Sequence, residues 1–557
     1  MRIDMFCKGF LAALYGVLVA SCAGQPTSLQ RAAAQINEPV YRALVAELAS
    51  DAFEGRAPGS PGEARTVEFL EREFQELGLR PANGASFRQE VPLVEITAVP
   101  ADARLSFEIA GQRLDLALAD DMVVGTRRVQ PASSVADSDV VFVGYGIVAP
   151  EYGWNDYAGL DMRGKTALIL VNDPGFATED PELFRGRTMT YYGRWTYKFE
   201  EAARQGAAAA IIIHDTAPAA YPWAVVRNGW TGPQFYLERA DGNAGRSAIE
   251  GWITLDRARE LLALAGEDLN ALSIAARQRG FRPVPLSARA DAGVRNLIRR
   301  AKSPNVAAVM PGTTRPDEYV IYVAHWDHLG RALALGGDTI FNGAQDNATG
   351  VAGILAIARA FRSLAPPPER SILFLSVTAE ESGLIGSEFY AANPLVPLEK
   401  TAAVINIDSL APLGRARDLQ VIGFGASELE DLLAEAAAAQ GRVLAPDASP
   451  EAGYFYRSDH VNLAKVGVPA LYIKSGTELR GQPAGEGQRR VDAYFNTDYH
   501  KQTDDYREGW DVAGSIEDLT LLFEVGSTVA SGGTWPNWYP DNEFRAARDQ
   551  SAGQRQP

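Results

Sequence analysis

Tyr319-Val320-Ile321-Tyr322-Val323-Ala324-His325-Trp326-Asp327-His328 is a run of six apolar residues that breaks off into two histidines, a tryptophan and an aspartate. A short β-branched and aromatic run of this kind reads as a buried strand, and its polar end as the place where the strand leaves the core. The same grammar recurs downstream. Ile372 to Val377 leads to Glu380-Glu381, and Val404 to Ile407 ends at Asp408. Strand and helix patterns alternate from about residue 290, which predicts an α/β fold, a mostly parallel mixed sheet with helices on both faces. In such a sheet ligands bind beyond the carboxyl ends of the strands, so these dispersed side chains should meet in one crevice.

The residue types gathered there suit metal chemistry. His325 and Asp327 are two apart, so extended backbone puts them on one side with Trp326 facing away, and Asp327 can orient the imidazole. A single histidine at a strand end is more often structural; its neighbours reverse that reading. Asn342-Gly343-Ala344-Gln345-Asp346-Asn347-Ala348-Thr349-Gly350 is a small polar loop feeding an apolar helix. Asp346 therefore lies near a helix N-terminus, where an ionised carboxylate is favoured, although a plain cap is an equal alternative in isolation. Adjacent carboxylates such as Glu380 and Glu381 repel each other in a crevice unless a cation or proton compensates them. One can hold a metal while the other acts as general base. Of the five histidines, four lie in this half of the chain. His500 sits in a polar turn-like stretch suited to delivering a ligand, His328 is simply near the site, and His460, after Ser458-Asp459, suits a supporting or substrate-facing role.

The 557 residues allow roughly three to four domains. A net charge of -17 with no dense Lys/Arg block excludes nucleic acid as a partner. Both cysteines, Cys7 and Cys22, fall in the N-terminal segment, so no disulfide framework or zinc–thiolate site is available to the rest of the chain. Arg2 and Lys8 precede an apolar run that is too short for a membrane span and ends in Val19-Ala20-Ser21-Cys22. Residues 1–22 thus read as a signal peptide with a lipobox, Cys22 being lipidated in a bacterial periplasm or cell envelope; ordinary cleavage and secretion is the alternative. Residues 23–39 read as a linker, 40–124 as the first part of a catalytic domain and 276–535 as its second part. Residues 536–557 read as a polar, loosely packed tail. Between them, residues 125–275 carry apolar strands such as Thr166 to Val171 and Ala209 to Ile213 without a ligand cluster, and read as a non-catalytic insert.

Taken together, Ala324-His325-Trp326-Asp327-His328, the Asn342–Gly350 loop, Glu380-Glu381, Asn406-Ile407-Asp408, Ser458-Asp459-His460 and Tyr499-His500 resemble the zinc aminopeptidase family that includes glutamate carboxypeptidase relatives. The resemblance spans about residues 40–530 and implies the zinc exopeptidase fold, with the insert as a protease-associated domain. It implies two zinc ions per chain. Asp346 would bridge them, with His325 and Asp408 completing one site and Glu381 and His500 the other. Glu380 would be the base, Asp327 the orienting partner of His325, and peptides the substrates, cleaved at their N-terminal residue. Where some relatives place an oxyanion-stabilising Tyr three residues ahead of the Ser, this chain has Phe455, leaving Tyr456 as a substitute. Two other readings share the fold: a glutaminyl cyclase-type acyltransferase using one zinc, and a metal-free, receptor-like binding protein. The full ligand set and Glu380 favour the peptidase.

Overall fold

The computed structural model describes residues 26–331 and 339–555. The export segment with Cys7 and Cys22 lies outside the described residues. Among the described residues, no helix is long and apolar enough to cross a membrane.

The main sheet carries the site. Its strands are β1 (Arg88–Ala98), β2 (Val284–Met310), β3 (Arg315–His325), β4 (Arg370–Val377), β5 (Thr401–Asn406) and β6 (Ala470–Ser475). β4, β3, β5 and β6 are parallel neighbours in that order, and β2 and β1 extend the sheet antiparallel beyond β4. Every residue of β4 and β5 is buried, as expected for parallel strands covered on both faces. Side chains of β3 alternate between two cores. Val320, Tyr322 and Ala324 join helices α1 (Glu38–Leu48), α2 (Pro61–Glu76), α3 (Thr349–Ser363) and α6 (Ala513–Ser531), while Ile321 and Val323 face α4 (Ile385–Ala392) and α5 (His460–Lys465). Each such Ile, Val or Leu contributes about 1.5–3 kcal/mol by leaving water.

A second sheet forms another lobe, with the parallel strands Thr166–Leu170, Ala209–His214 and Ile249–Thr254 at its centre. Its apolar clusters run from Leu105 to Val294, wider on both sides than the expected 125–275. The reason is β2. This one 27-residue strand, roughly 90 Å of extended chain, pairs with second-lobe strands over Val284–Arg295 and with β1 over Asn296–Val306. No break in hydrophobic pattern marks the crossing.

Two terminal expectations are corrected. The supposed linker contains the helix Ser28–Ala33, capped by Thr27, with Ala32 and Ala33 buried in the main core. The supposed loose tail is docked: Trp538 is fully buried and donates to the Gly467 carbonyl, and buried Arg548 donates to the Thr401 carbonyl. An indole with apolar neighbours and a guanidinium with carbonyl partners anchor a segment whose composition reads as polar.

Candidate metal centre

Register explains the convergence. β3 and β4 pair through His325↔Val377, and β3 and β5 through Val323↔Asn406. The three strands therefore end at one level, and the next residues (Asp327, Glu380 and Asp408) enter the same crevice. The α3 N-terminus closes it from below with the loop bearing Asp346. Ala379, Ser409 and His500, each beside or within the cluster, have positive φ values of 53°, 60° and 57°. Non-glycine residues held there cost of order 1–3 kcal/mol each, and such strain concentrates where surrounding structure fixes a working geometry.

Asp346 is the centre of the arrangement. Its Oδ1 lies 3.3 Å from His325 Nε2, which is also 3.6 Å from Asp408 Oδ1. Its Oδ2 lies 3.3 Å from His500 Nε2, which is 3.0 Å from Glu381 Oε2. Zinc–ligand bonds of about 2.0–2.1 Å imply tetrahedral edges near 3.3 Å. The four separations, 3.0–3.6 Å, bracket that edge. The Nε2 atoms of His325 and His500 have no hydrogen-bond partner, although the first is fully buried. Burial disfavours protonation of His325, but Glu380, Asp346 and Asp408 outweigh it and hold its pKa well above the imidazole range. His500 is likewise pushed up to about 11, burial being overcome by Glu381 and Asp346. The carboxylates thus demand positive charge that protonated imidazoles meet, and divalent cations fit the same donor set. Two groups of donors lie close enough to hold a cation, His325 with Asp346 and Asp408, and His328 with Asp346 and Glu381, so the residues fit the metals that the sequence implies.

The surrounding contacts orient the ligands. His325 Nδ1 lies 3.1 Å from the Asp327 carbonyl and 3.9 Å from its carboxylate. The expected orienting role of Asp327 thus falls to its backbone, while its Oδ1 accepts from the Glu380 amide at 3.1 Å. Burial pushes the Asp327 carboxyl up to about 7. Glu380 Oε2 is 4.0 Å from His325 Nε2, and burial, with Glu381 and Asp408 nearby, pushes its carboxyl well above the carboxylate range.

The structure places the remaining expected residues as follows. The Tyr456 hydroxyl donates to Glu543 rather than facing the ligands. Asp459 is buried and accepts from Ser387 at 2.7 Å. His460 is enclosed between Phe455 and Tyr472, ring centroids 4.5 and 5.1 Å away, and faces core rather than substrate.

Several supporting residues were not legible. Ser458 donates to Asp408 Oδ2 at 2.6 Å. Asp504 accepts from the amides of Gln345 and Asp346 at 3.0 and 3.1 Å, holding the loop. Buried His328 Nδ1 lies 2.6 Å from Glu381 Oε1, closer to the centre than a bystander. Arg56 is fully buried and donates to the carbonyls of Leu48, Trp326, Asn342 and Gly343 at 2.7–2.9 Å, tying both ligand-bearing loops to the N-terminal helices. Next to it, a Cβ on Gly55 would lie 2.5 Å from the Gly330 and Phe341 carbonyls, so only glycine allows this approach. Only the Ser458 partnership had a local signal, the Ser-Asp-His triplet.

Two cavities meet at Glu380. One, of about 1470 Å³, lies between the lobes and is lined by Glu380, Glu381, Tyr499 and, from the second lobe, Arg194, Trp230 and Tyr236. The other, of about 460 Å³, lies within the main lobe beside Asp346, Asp408, Tyr472 and Trp510.

Fold and cluster define an α/β protein with a paired metal-ligand centre at the carboxyl ends of a parallel sheet. Residues 305–523 match the model of peptidase family M28. The chain is 36% identical over 137 residues to aminopeptidase NAALADL1 of Mus musculus, 23% of this chain and 17% of the relative. It is 34% identical over 104 residues to a probable zinc metalloprotease of Pyrenophora teres f. teres, 18% of this chain and 22% of the relative. The chain therefore spans less than a quarter of the length of these relatives. An aminopeptidase from Aneurinibacillus sp. strain AM-1 shares its fold, with a TM-score of 0.50 and 20% identity over 90% of this chain and 96% of that one.

Proposed function

We propose that the chain is a metallo-aminopeptidase that binds two zinc ions and removes N-terminal residues from peptides. The observation that carries this reading is the division of Asp346, one oxygen turned to His325 and Asp408 and the other to His500 and Glu381. The match of residues 305–523 to the peptidase family M28 model and the similarity to an aminopeptidase support it. When bound, the two cations supply Lewis-acid polarisation of the scissile carbonyl and acidify water. Glu380, which belongs to neither ligand set and lies 4.0 Å from His325 Nε2, would take the proton of the attacking water and return it to the leaving amine. That Glu380 lines both cavities supports this role. Asp327 holds the Glu380 backbone and His325 in register for this. We also infer, from the N-terminal sequence, export with lipidation at Cys22, and we read the second lobe as a protease-associated domain.

The test is metal content together with hydrolysis of aminoacyl p-nitroanilides by protein lacking residues 1–22, with and without Glu380→Gln. About two zincs per chain are expected. Turnover should fall by about 10²–10⁴-fold in the variant while metal is retained. One zinc with glutamine cyclisation would move the chain to the cyclase reading, and no metal under zinc-replete conditions would sink the enzyme reading.

A further inference from the structure

The chain enters the fold at the end of the main lobe opposite the metal centre. Thr27 caps the first helix, Ser28–Ala33. The Ser28 hydroxyl accepts from the Ala365 amide at 3.1 Å and donates to the Ala365 carbonyl. Ala365 follows the C-terminus of α3, the helix whose N-terminus carries the Asp346 loop. The 15 residues of α3, at 1.5 Å each, separate the two ends by about 22 Å. β4 measures the same span a second time: it starts at Arg370, close after Ala365, and its 8 residues extend about 26 Å toward Glu380.

Little chain lies between this entry point and Cys22. Four peptide links join Cys22 to Pro26, and they reach at most about 14 Å. A tether of that length cannot turn the crevice toward a surface on which Cys22 is anchored, because Pro26 would then stand more than about 22 Å from that surface. Charge agrees with length. Arg31, in the first helix, and Arg362, in the last turn of α3, are exposed at this end and make no ion pair among the described residues. In a chain of net charge -17 they are attracted to anionic headgroups that repel the protein as a whole.

We propose that this end of the main lobe, the surface around Ser28, Arg31, Arg362 and Pro366, docks on a lipid bilayer with the metal crevice turned away from it. The proposal rests on the reading that Cys22 is lipidated. It makes the enzyme one that takes soluble peptides from the aqueous side and does not act on N-termini held close to its own bilayer.

The experiment uses the full chain, expressed with its N-terminal segment and reconstituted in vesicles of phosphatidylethanolamine and phosphatidylglycerol, with mass spectrometry reading the acyl chains on Cys22. Single cysteines introduced by Ser363→Cys and by Lys501→Cys carry a fluorophore; Cys7 leaves with the signal segment and Cys22 is acylated, so no other thiol competes. Ser363 ends α3 and Lys501 follows the ligand His500, and both are exposed. Lipid spin-labelled at the headgroup should quench the label at 363 and leave the label at 501 unquenched. Lipidated protein should hydrolyse a free peptide but lose activity on the same peptide held to the same dilute vesicles by a short C-terminal acyl tether, whereas protein lacking residues 1–22 should hydrolyse both. Equal quenching of the two labels, or stronger quenching at 501, would overturn the proposal, as would undiminished cleavage of the tethered peptide by lipidated protein. An unacylated Cys22 would remove the lipidation reading and the proposal with it. The expected quenching in a protein that cleaves neither peptide would keep the orientation and remove the peptidase reading.

Discussion

Arg56→Met measures how much the ligand loops depend on a residue far from them in sequence. Its guanidinium donates to four carbonyls, two of which, Asn342 and Gly343, begin the Asp346 loop, while Trp326 follows His325. Methionine fills much of the volume but leaves those acceptors buried and unpaired. Hydrogen bonds from a charged donor are worth about 1.5–3 kcal/mol each, which summed over four would exceed any usual single-site effect. The sum is reduced because burying the cation is itself unfavourable, as its pKa of about 10 records, and because the loops can relax toward water. The expected loss is about 3–5 kcal/mol, the range for uncompensating a buried charged network. Hydrogen exchange of metal-free protein is the assay, since it resolves one lobe from the other. Amides in residues 319–328 should exchange about two to four decades faster in the variant, with second-lobe amides unchanged. Arg56→Lys should recover less than half, because one ammonium cannot span four carbonyls. A change below about 1 kcal/mol, or full rescue by lysine, would refute the reasoning.

Asp346→Asn removes the charge shared by both halves of the cluster, so metal content measured by mass spectrometry should fall from about two ions to fewer than one per chain. Retention of both ions would show the halves to be independent. Gly350→Ala would set a Cβ 2.3 Å from Asn347 Oδ1 and 2.5 Å from the Ile407 carbonyl. Thermal unfolding should report a loss of about 1–3 kcal/mol. For His460, burial holds the folded pKa at about 3, below the unfolded value of about 6.5. Its contribution is therefore present above pH 6.5 and lost as pH falls toward 3, amounting to about 2 kcal/mol at pH 5. Urea unfolding of metal-free protein at both pH values should show that slope in the wild type and a flatter one in His460→Phe.

The catalytic lobe was readable because its strands are buried on both faces, so apolar runs such as those ending at His325 and Asp408 stand out without periodicity. His325, Glu381 and Asp408 stand out by their place after strands, whereas Asp346 and His500 lie in loops and enter the expected set through the family resemblance. What escaped depends on contacts between distant segments. Arg56, Asp504 and His328 act through carbonyls, amides and a carboxylate brought up by folding, and nothing local distinguishes them from surface residues. Likewise Trp538 and Arg548 dock a segment of polar composition, and the lobe boundary disappears inside one continuous strand. For His460, enclosed by Phe455 and Tyr472, the structure favours the supporting alternative over the substrate-facing one.

That continuous strand has an engineering consequence. Ala98 and Asn296 are register partners on β1 and β2, and the Val99 amide bonds the Arg295 carbonyl at 2.8 Å, so the second lobe hangs from a closed two-stranded ribbon. A two-residue turn such as Asn-Gly could join Ala98 to Asn296 as an ordinary hairpin, excising the lobe as a cartridge without re-threading the sheet. The cut would uncover β1, whose edge is paired by second-lobe residues Pro233–Leu237. Glu90 and Glu95 already stand on that strand as charges that discourage edge-to-edge aggregation. Lobes of different cleft chemistry could then be exchanged on one hydrolytic core, with the ribbon as the universal joint.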